Sequence, residues 1–579
     1  MVAVMSQRAK PAGNPMFDAI VVGSGITGGW ATKELTEAGL KVLVLERGPT
    51  LDPASDYSDM VDPWDHPDLN MIPQDEIAAK YPYYPSVAYA MFNSNKGFWA
   101  NEAEHPYESV AKDRFQWVRG YHLGGRSLMW GRASYRWSDD DFAANKRDGH
   151  GVDWPIRYVD LAPWYDKVET FVGISGDMDG LDNLPDGKFL PGFPMNVAEK
   201  YAKAKVEAAF PGRNLVIGRA ANLSEPTEAH LEHGRGKCQV RSLCSRGCSF
   251  GAYFSSISST LPAAERTGRM TLKTNAIVHS IVTDRRTGRA TGVRVIDADS
   301  KAGTTYTARM VFLCASTIGS AAILLNSADA ANPNGVANRS GQVGRNLMDH
   351  VIGGGVNGTL PGMTEFYDKG RRPIPAYMPR YGNFTEKDKP YLRGFGYQAG
   401  ATRSGWNPGA AGVGAALKAA QRVPGPWSFG FLPFAEMLPR PENRVTLSAT
   451  RRDKWGVPLP VIDCSFGPNE QLLIAEATKD AQAMLAAMGA TGITPAERAI
   501  AQMRKPGEAI HEMGTVRMGR DPQTSVLNGW AQAHDVPNLF VTDGAAMASS
   551  ATQNPSLTYM TITARAANHA ATLLREGKL

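Results

Sequence analysis

Apolar residues in this chain fall into short unbroken runs and longer periodic ones. Ala19–Val22 and the stretch KVLVLE, which ends at Glu46, are unbroken runs. They read as strands buried on both faces, as a parallel sheet requires. Between them, TGGWATKELTEAG has helical patterning and stops at Gly39. Strand-like runs return over 271–350 in MTLKTNAIVHSIVTD, ATGVRVIDA and TARMVFLCAS. The chain closes with NLFVTDG, a polar loop and an amphipathic helix. Strand and helix alternate in the way that predicts an α/β architecture.

Other segments break this pattern. Residues 51–118 are rich in Asp, Pro and aromatics (DPWDHPDLN, KYPYYPSVAYAMF) and read as a long excursion, either a lid or a subunit surface. Residues 153–235 begin DWPIRYVDLAPWY and lead to a cysteine-rich loop. Residues 351–505 hold aromatic and glycine-rich runs, such as YLRGFGYQAG and GPWSFGFLPFAEM, that suit a second sheet. NPGAAGVGAALKAAQR, at 407–422, reads as a loop or short helix.

Between the first two strands stand Gly23, Gly25 and Gly28, spaced G-x-G-x-x-G. Gly23 permits the tight turn, Gly25 lets backbone approach a pyrophosphate, and Gly28 lets helix and strand pack closely. The helix N-terminus offers free N–H groups to phosphate. Glu46, 18 residues past Gly28, is placed to accept from ribose hydroxyls. Strand, glycines, helix, strand and acid in this order predict a dinucleotide site.

Composition narrows the function. At 579 residues the chain exceeds one ordinary core. A net charge of +5 with no Lys/Arg stripe argues against a nucleic-acid partner. No run of roughly 18 apolar residues predicts a membrane span. The N-terminal stretch lacks an apolar signal region and a twin-arginine pair, so by sequence alone the chain reads as cytoplasmic. A partner that owns an export signal would carry it elsewhere.

Of five cysteines, Cys314 and Cys464 sit in apolar runs and read as core. Cys238, Cys244 and Cys248 stand in C-x5-C-x3-C spacing. Three readings are open. A disulfide leaves one thiol over; zinc needs a fourth ligand, with His233 the nearest local candidate; an iron–sulfur cluster accepts three thiolates.

RGYHLGGRSLMWGR (119–132), GRNLMDH (344–350), HEMGT (511–515) and QNPSLT (553–558) complete the list of chemistry-bearing segments. With GSGITG at the start, they resemble the glucose–methanol–choline (GMC) family of flavin oxidoreductases, in the family's order and over nearly the full chain. The resemblance implies FAD on a glutathione-reductase-like domain and an α+β substrate domain with an antiparallel sheet. The expected FAD-binding pieces are 16–50, 111–152, 236–350 and 506–579, with the cysteine segment at 236–252. The excursion takes 51–110, and the substrate domain 153–235 and 351–505. Besides the first glycines and Glu46, the cofactor residues implied are Arg47, Gly124, Gly125, Ser127, Val278, Asp543, Gly544 and Pro555.

Oxidising an alcohol with a flavin needs a base for the hydroxyl proton, a carbon that faces flavin N5, and a polar group that holds the oxygen. The resemblance gives the base to His511 and the oxygen to Asn554, 43 residues later. A turn or N-cap role competes for Asn554, and His122, His350 and His534 read as structural. Family members that bind FAD covalently use a histidine where this chain has Met129, so non-covalent FAD is expected. The cysteine spacing resembles bacterial glucose, fructose and glucoside 3-dehydrogenase subunits, which implies a [3Fe–4S] cluster on Cys238, Cys244 and Cys248. Ser249 replaces the proline usual after the last cysteine. A cluster implies a protein acceptor such as a cytochrome c, and a small subunit carrying the export signal. The expected substrate is a sugar or glucoside hydroxyl, with C3 of a glucoside a leading site. The alternative is a cluster-free oxidase using O2.

Overall fold

The computed structural model describes residues 17–84, 91–366, 372–403, 412–422 and 424–579. The expectations for the first 16 residues and for 407–411 lie outside these, as does part of KYPYYPSVAYAMF.

The first apolar run forms the strand Phe17–Val22, and its neighbour is Val42–Leu45. Both lie inside a seven-stranded sheet, with residues 19–22 wholly enclosed. Phe17–Val22 pairs in parallel with Val42–Leu45 on one side and with the C-terminal half of Gly303–Leu313 on the other. Met270–Lys273 extends the sheet beyond Val42–Leu45, and Leu539–Val541 pairs beside Gly303–Leu313, both in parallel. Ala276–Thr283 and Ala290–Asp297 form an antiparallel extension on the N-terminal half of Gly303–Leu313. Strands at residues 17, 270, 303 and 539 thus become neighbours, which is why cofactor-like motifs are scattered along the chain.

A second, five-stranded sheet is antiparallel and falls within residues 351–435. Its centre is the pair Phe395–Arg403 and Trp427–Ala435. Both alternate buried and half-buried positions, as a sheet with one packed face requires. The helix Pro468–Ala487 packs behind it. Within 407–422 a helix forms at Gly414–Gln421. Cys314 and Cys464 are buried, as expected of core thiols. Among the described residues no helix is long and apolar enough to cross a membrane.

Candidate active site

A cavity of about 410 Å³ runs from the first glycine turn to the face of the antiparallel sheet. At one end lie Gly23, Gly25, Glu46 and Arg47, with Gly125, Ser127 and Val278 along the wall. Asp543, Gly544, Asn554 and Pro555 come from the C-terminal segment, and His511 from the loop before it. Gln398 and Phe434 reach in from adjacent strands of the antiparallel sheet. Gly28 and Gly124 stand behind the lining. A Cβ on Gly28 would sit 1.8 Å from the Gly23 carbonyl oxygen. Gly124 turns the chain at φ 86°.

The glycine end fits a dinucleotide. Gly25 caps the helix Ile26–Glu37 with no side-chain bond of its own. A Cβ there would meet only the Gly124 oxygen, at 4.0 Å, so packing within the chain does not demand glycine. The requirement comes from the cavity, at the free N–H groups of a helix end. Glu46 takes the Ser24 hydroxyl at 2.6 Å and the Gly48 N–H at 3.0 Å, and still borders the cavity. Among the described residues of the wall, Arg47 Nε, Trp99 Nε1, His105 Nδ1, Arg119 Nε and Nη2, Arg132 Nε and Glu512 Oε1 are buried atoms without a partner. Buried polar groups seldom go unpaired, so a ligand rich in donors and acceptors, as FAD is, suits this cavity. Met129 borders it at the position where a covalent link would need histidine.

At the other end His511 and Asn554 meet. Asn554 Nδ2 lies 3.3 Å from His511 Nε2, and Gln398 Nε2 donates to Asn554 Oδ1 at 3.4 Å. That pairing fixes the amide with its NH2 toward the imidazole. Asn554 is therefore not the helix cap. Pro555 holds that position before Ser556–Arg575, without a side-chain bond. The irregular loop that carries Asn554 is buried, yet its polar groups are satisfied. Asn145 donates to the Ala548 carbonyl, Trp154 to Ser549 Oγ, and Gln553 to Asp141.

His511 is held from behind by Asp349. The carboxylate accepts the backbone N–H groups of Gly507 at 2.8 Å, Ala509 at 3.2 Å and His511 at 2.9 Å. Burial and the neighbouring Glu512 push this carboxyl up to about 7, against the pull of the three donors. Ile510, just before His511, sits at φ 63°, a conformation a β-branched residue rarely adopts. The loop tolerates this strain where it aims the imidazole into the cavity. Glu512 pairs with Arg126 at 2.6 Å.

His350 stands closer to the site than the sequence suggested. It was expected to be structural, but its Nδ1 lies 2.8 Å from His511 Nδ1. Its Nε2 lies 3.1 and 3.0 Å from the carbonyl oxygens of Ser550 and Ala551. The available signal was its place at the end of GRNLMDH, beside Asp349. His122 bonds the Leu123 and Phe98 carbonyls, and His534 bonds Ser525.

The three cysteines lie apart from the cavity wall, half-buried in one loop. Burial raises the Cys238 thiol, and Cys244 and Cys248 add to the effect. Asn222 Nδ2 points at Cys238 Sγ from 3.9 Å, and Arg235 feels Cys248. The three thiols thus belong to one loop and lie near enough for Cys244 and Cys248 to act on Cys238. Among the described residues no three His, Cys, Asp or Glu side chains converge as ligands of one ion. His233, the candidate fourth ligand for zinc, bonds Arg266 and packs on Phe171 instead. Just past Cys248, Tyr253 donates to the Leu128 carbonyl at 3.1 Å, which ties the cysteine loop to the glycine-pair segment.

Comparison with known proteins agrees with this geometry. Models of the GMC oxidoreductase family match residues 17–352 and 439–563. The chain is 27% identical to the fructose dehydrogenase large subunit of Gluconobacter japonicus, over 97% of this chain and 98% of that one. It is 29% identical to 2-methyl-1,2-propanediol dehydrogenase of Mycolicibacterium austroafricanum, covering 95% and 94%. Paromamine 6'-oxidase of Streptomyces fradiae is 28% identical, covering 94% and 89%. Among solved structures, pyridoxine 4-oxidase from Mesorbium loti superposes with a TM-score of 0.59 at 16% identity, over 95% of this chain and 98% of that one. A formate oxidase from Aspergillus oryzae RIB40 gives 0.62 at 13%, over 98% and 100%. With both cofactor and catalytic ends of the cavity matched in order, the chain belongs to the GMC oxidoreductase family, FAD enzymes that oxidise CH–OH groups.

Proposed function

We propose that this enzyme is a dehydrogenase that oxidises a secondary hydroxyl of a sugar or glucoside to a ketone, with C3 of a glucoside a leading site. The observation that carries the reading is the pairing of His511 Nε2 with Asn554 Nδ2, 3.3 Å apart on the cavity wall. His511 takes the hydroxyl proton on Nε2. The second N–H of the Asn554 amide holds the same oxygen, so the carbinol carbon keeps one orientation. FAD, bound non-covalently along the glycine end, Arg47 and Arg119, supplies the hydride acceptor. Gln398 and Arg504 add polar lining that suits a ligand with several hydroxyls. The sugar reading draws support from the names fructose dehydrogenase and paromamine 6'-oxidase among the relatives.

Cys238, Cys244 and Cys248 hold a [3Fe–4S] cluster in this reading, which carries electrons singly to a protein acceptor such as a cytochrome c. The surface beside them supports a protein partner. Met60, Trp64, Leu69 and Met71 are at least 63% exposed, among the exposed carboxylates of Asp62, Asp65 and Asp68. Asp59 ties this segment to the cysteine loop through Ser249 Oγ at 2.5 Å. The name of the fructose dehydrogenase large subunit supports a small-subunit partner. If that subunit carries an export signal, the enzyme works in the periplasm; a cytoplasmic address follows if it does not.

A second reading, a cluster-free oxidase passing electrons to O2, is favoured by the absence of a converged three-ligand group among the described residues. Iron analysis and electron paramagnetic resonance of the purified enzyme, with peroxide measured during sugar turnover, decide between them. About three irons per chain and little peroxide are expected. Iron-free protein that makes peroxide at the rate of sugar oxidation would select the oxidase.

A further inference from the structure

Besides Asn554, the side chain that hydrogen-bonds the His511 imidazole among the described residues is His350, which is 1% exposed and does not line the cavity. We propose that His350 is a positioning residue that sets the tautomer of His511 and holds the proton His511 takes from substrate. The proposal rests on His511 being the base.

The tautomers follow from the partners. His350 Nε2 faces two carbonyl oxygens, which only accept, so Nε2 carries a hydrogen. The ring is enclosed in protein and neutral, which leaves Nδ1 bare. Across a 2.8 Å contact, two bare nitrogens would repel, so His511 Nδ1 carries the hydrogen and donates it. A neutral His511 then has its lone pair on Nε2, the atom beside Asn554 and open to the cavity. Two backbone carbonyls thus dictate, through one imidazole, which nitrogen of the next is the base.

The same contact gives the proton a place to rest. When the substrate O–H breaks and N–H forms on His511 Nε2, the Nδ1–H of His511 can break and an N–H form on His350 Nδ1. His350 is then the imidazolium. Its Nε2–H keeps the two carbonyls, and its Nδ1–H donates to the now bare His511 Nδ1. No hydrogen bond is lost in the exchange, and the proton returns by the same path when product leaves.

Electrostatics favour this direction. The charged groups around the pair are Arg126, Glu512, Arg504 and Asp349. Burial depresses both imidazoles; beyond that, Arg126 and Arg504 act against charge on His511, whereas the two carbonyls act for it on His350. Ala551, whose carbonyl oxygen accepts from His350 Nε2, is held at φ 50°, in the left-handed region.

Two substitutions separate the roles. His350→Gln can accept the Nδ1–H of His511 and donate to the carbonyls, so it keeps the tautomer but takes no proton. His350→Phe does neither. The readout is anaerobic flavin reduction by sugar in the FAD-loaded enzyme, followed against pH and in mixtures of H2O and D2O. For wild type we expect a curved dependence on deuterium fraction, from two protons in flight. For His350→Gln we expect a linear one, with kcat down about tenfold and KM little changed. His350→Phe loses about a hundredfold or more, within the range of general base catalysis. A wild-type proton inventory and pH profile in His350→Gln would overturn the proposal. So would equal losses in the two variants with a wild-type inventory in both. His511→Ala, run alongside, separates the failures: if it reduces flavin at the wild-type rate, the base assignment itself is wrong.

Discussion

The proposed chemistry depends on a neutral imidazole. Burial first, and then His350, Arg126 and Arg504, hold His511 well below the ordinary 6.5. A base with a depressed pKa keeps its lone pair to lower pH and loses it only as the pH falls through the depressed value. The kcat/KM for sugar oxidation is therefore expected to stay level from neutral pH down past 6.5 before its acid limb. An acid limb centred at or above 6.5 would contradict the environment described for His511. At this scale the sequence was informative about His511 and Asn554, because the motifs that carry them are contiguous. It carried no sign that His350 contacts His511. Its role depends on a 2.8 Å contact across 161 residues and on two carbonyls of a loop 200 residues away. Neither leaves a trace in local spacing.

Among elements, the first turn and helix show two kinds of glycine that the motif cannot tell apart. Gly28 serves the fold, since a methyl group there would lie 1.8 Å from a backbone oxygen that cannot move aside. Gly25 serves the ligand, since a methyl group there meets almost nothing of the chain. Gly28→Ala is expected to lower the thermal stability of FAD-free protein, by about 1–3 kcal/mol as overpacking does. Gly25→Ala is expected to leave FAD-free stability near wild type and to weaken FAD binding at least tenfold. Melting curves with and without added FAD check both, and equal behaviour of the two variants would remove the distinction. Strand and helix placement around this turn was legible from apolar runs. The described part of the excursion at 51–110 was less so, because its segments are pinned to others. Asn95 donates to the Ser245 carbonyl and Asp59 bonds Ser249, contacts with no local signature.

For the whole molecule, the parallel sheet explains why the site draws on so much of the chain. Phe17–Val22 and Leu539–Val541 flank Gly303–Leu313, and the helices Ile26–Glu37 and Ser556–Arg575 pack together. The glycine turn and the Asn554 loop thereby reach one cavity from opposite ends of the sequence. The antiparallel sheet closes the cavity with Gln398 and Phe434. The α/β class could be read in advance from the apolar runs, and an antiparallel sheet was expected from the family resemblance. The shape of the cavity could not, because it is set by which strands become neighbours. The central claim is that His511 and Asn554 oxidise a sugar CH–OH in this cavity. It is tested most directly by the rate at which a sugar or glucoside bleaches the flavin without oxygen, in wild type, His511→Ala and Asn554→Ala. The account predicts rapid bleaching in wild type, a loss of about a thousandfold in His511→Ala and a smaller loss in Asn554→Ala, with FAD content unchanged. Bleaching at the wild-type rate in His511→Ala would contradict it.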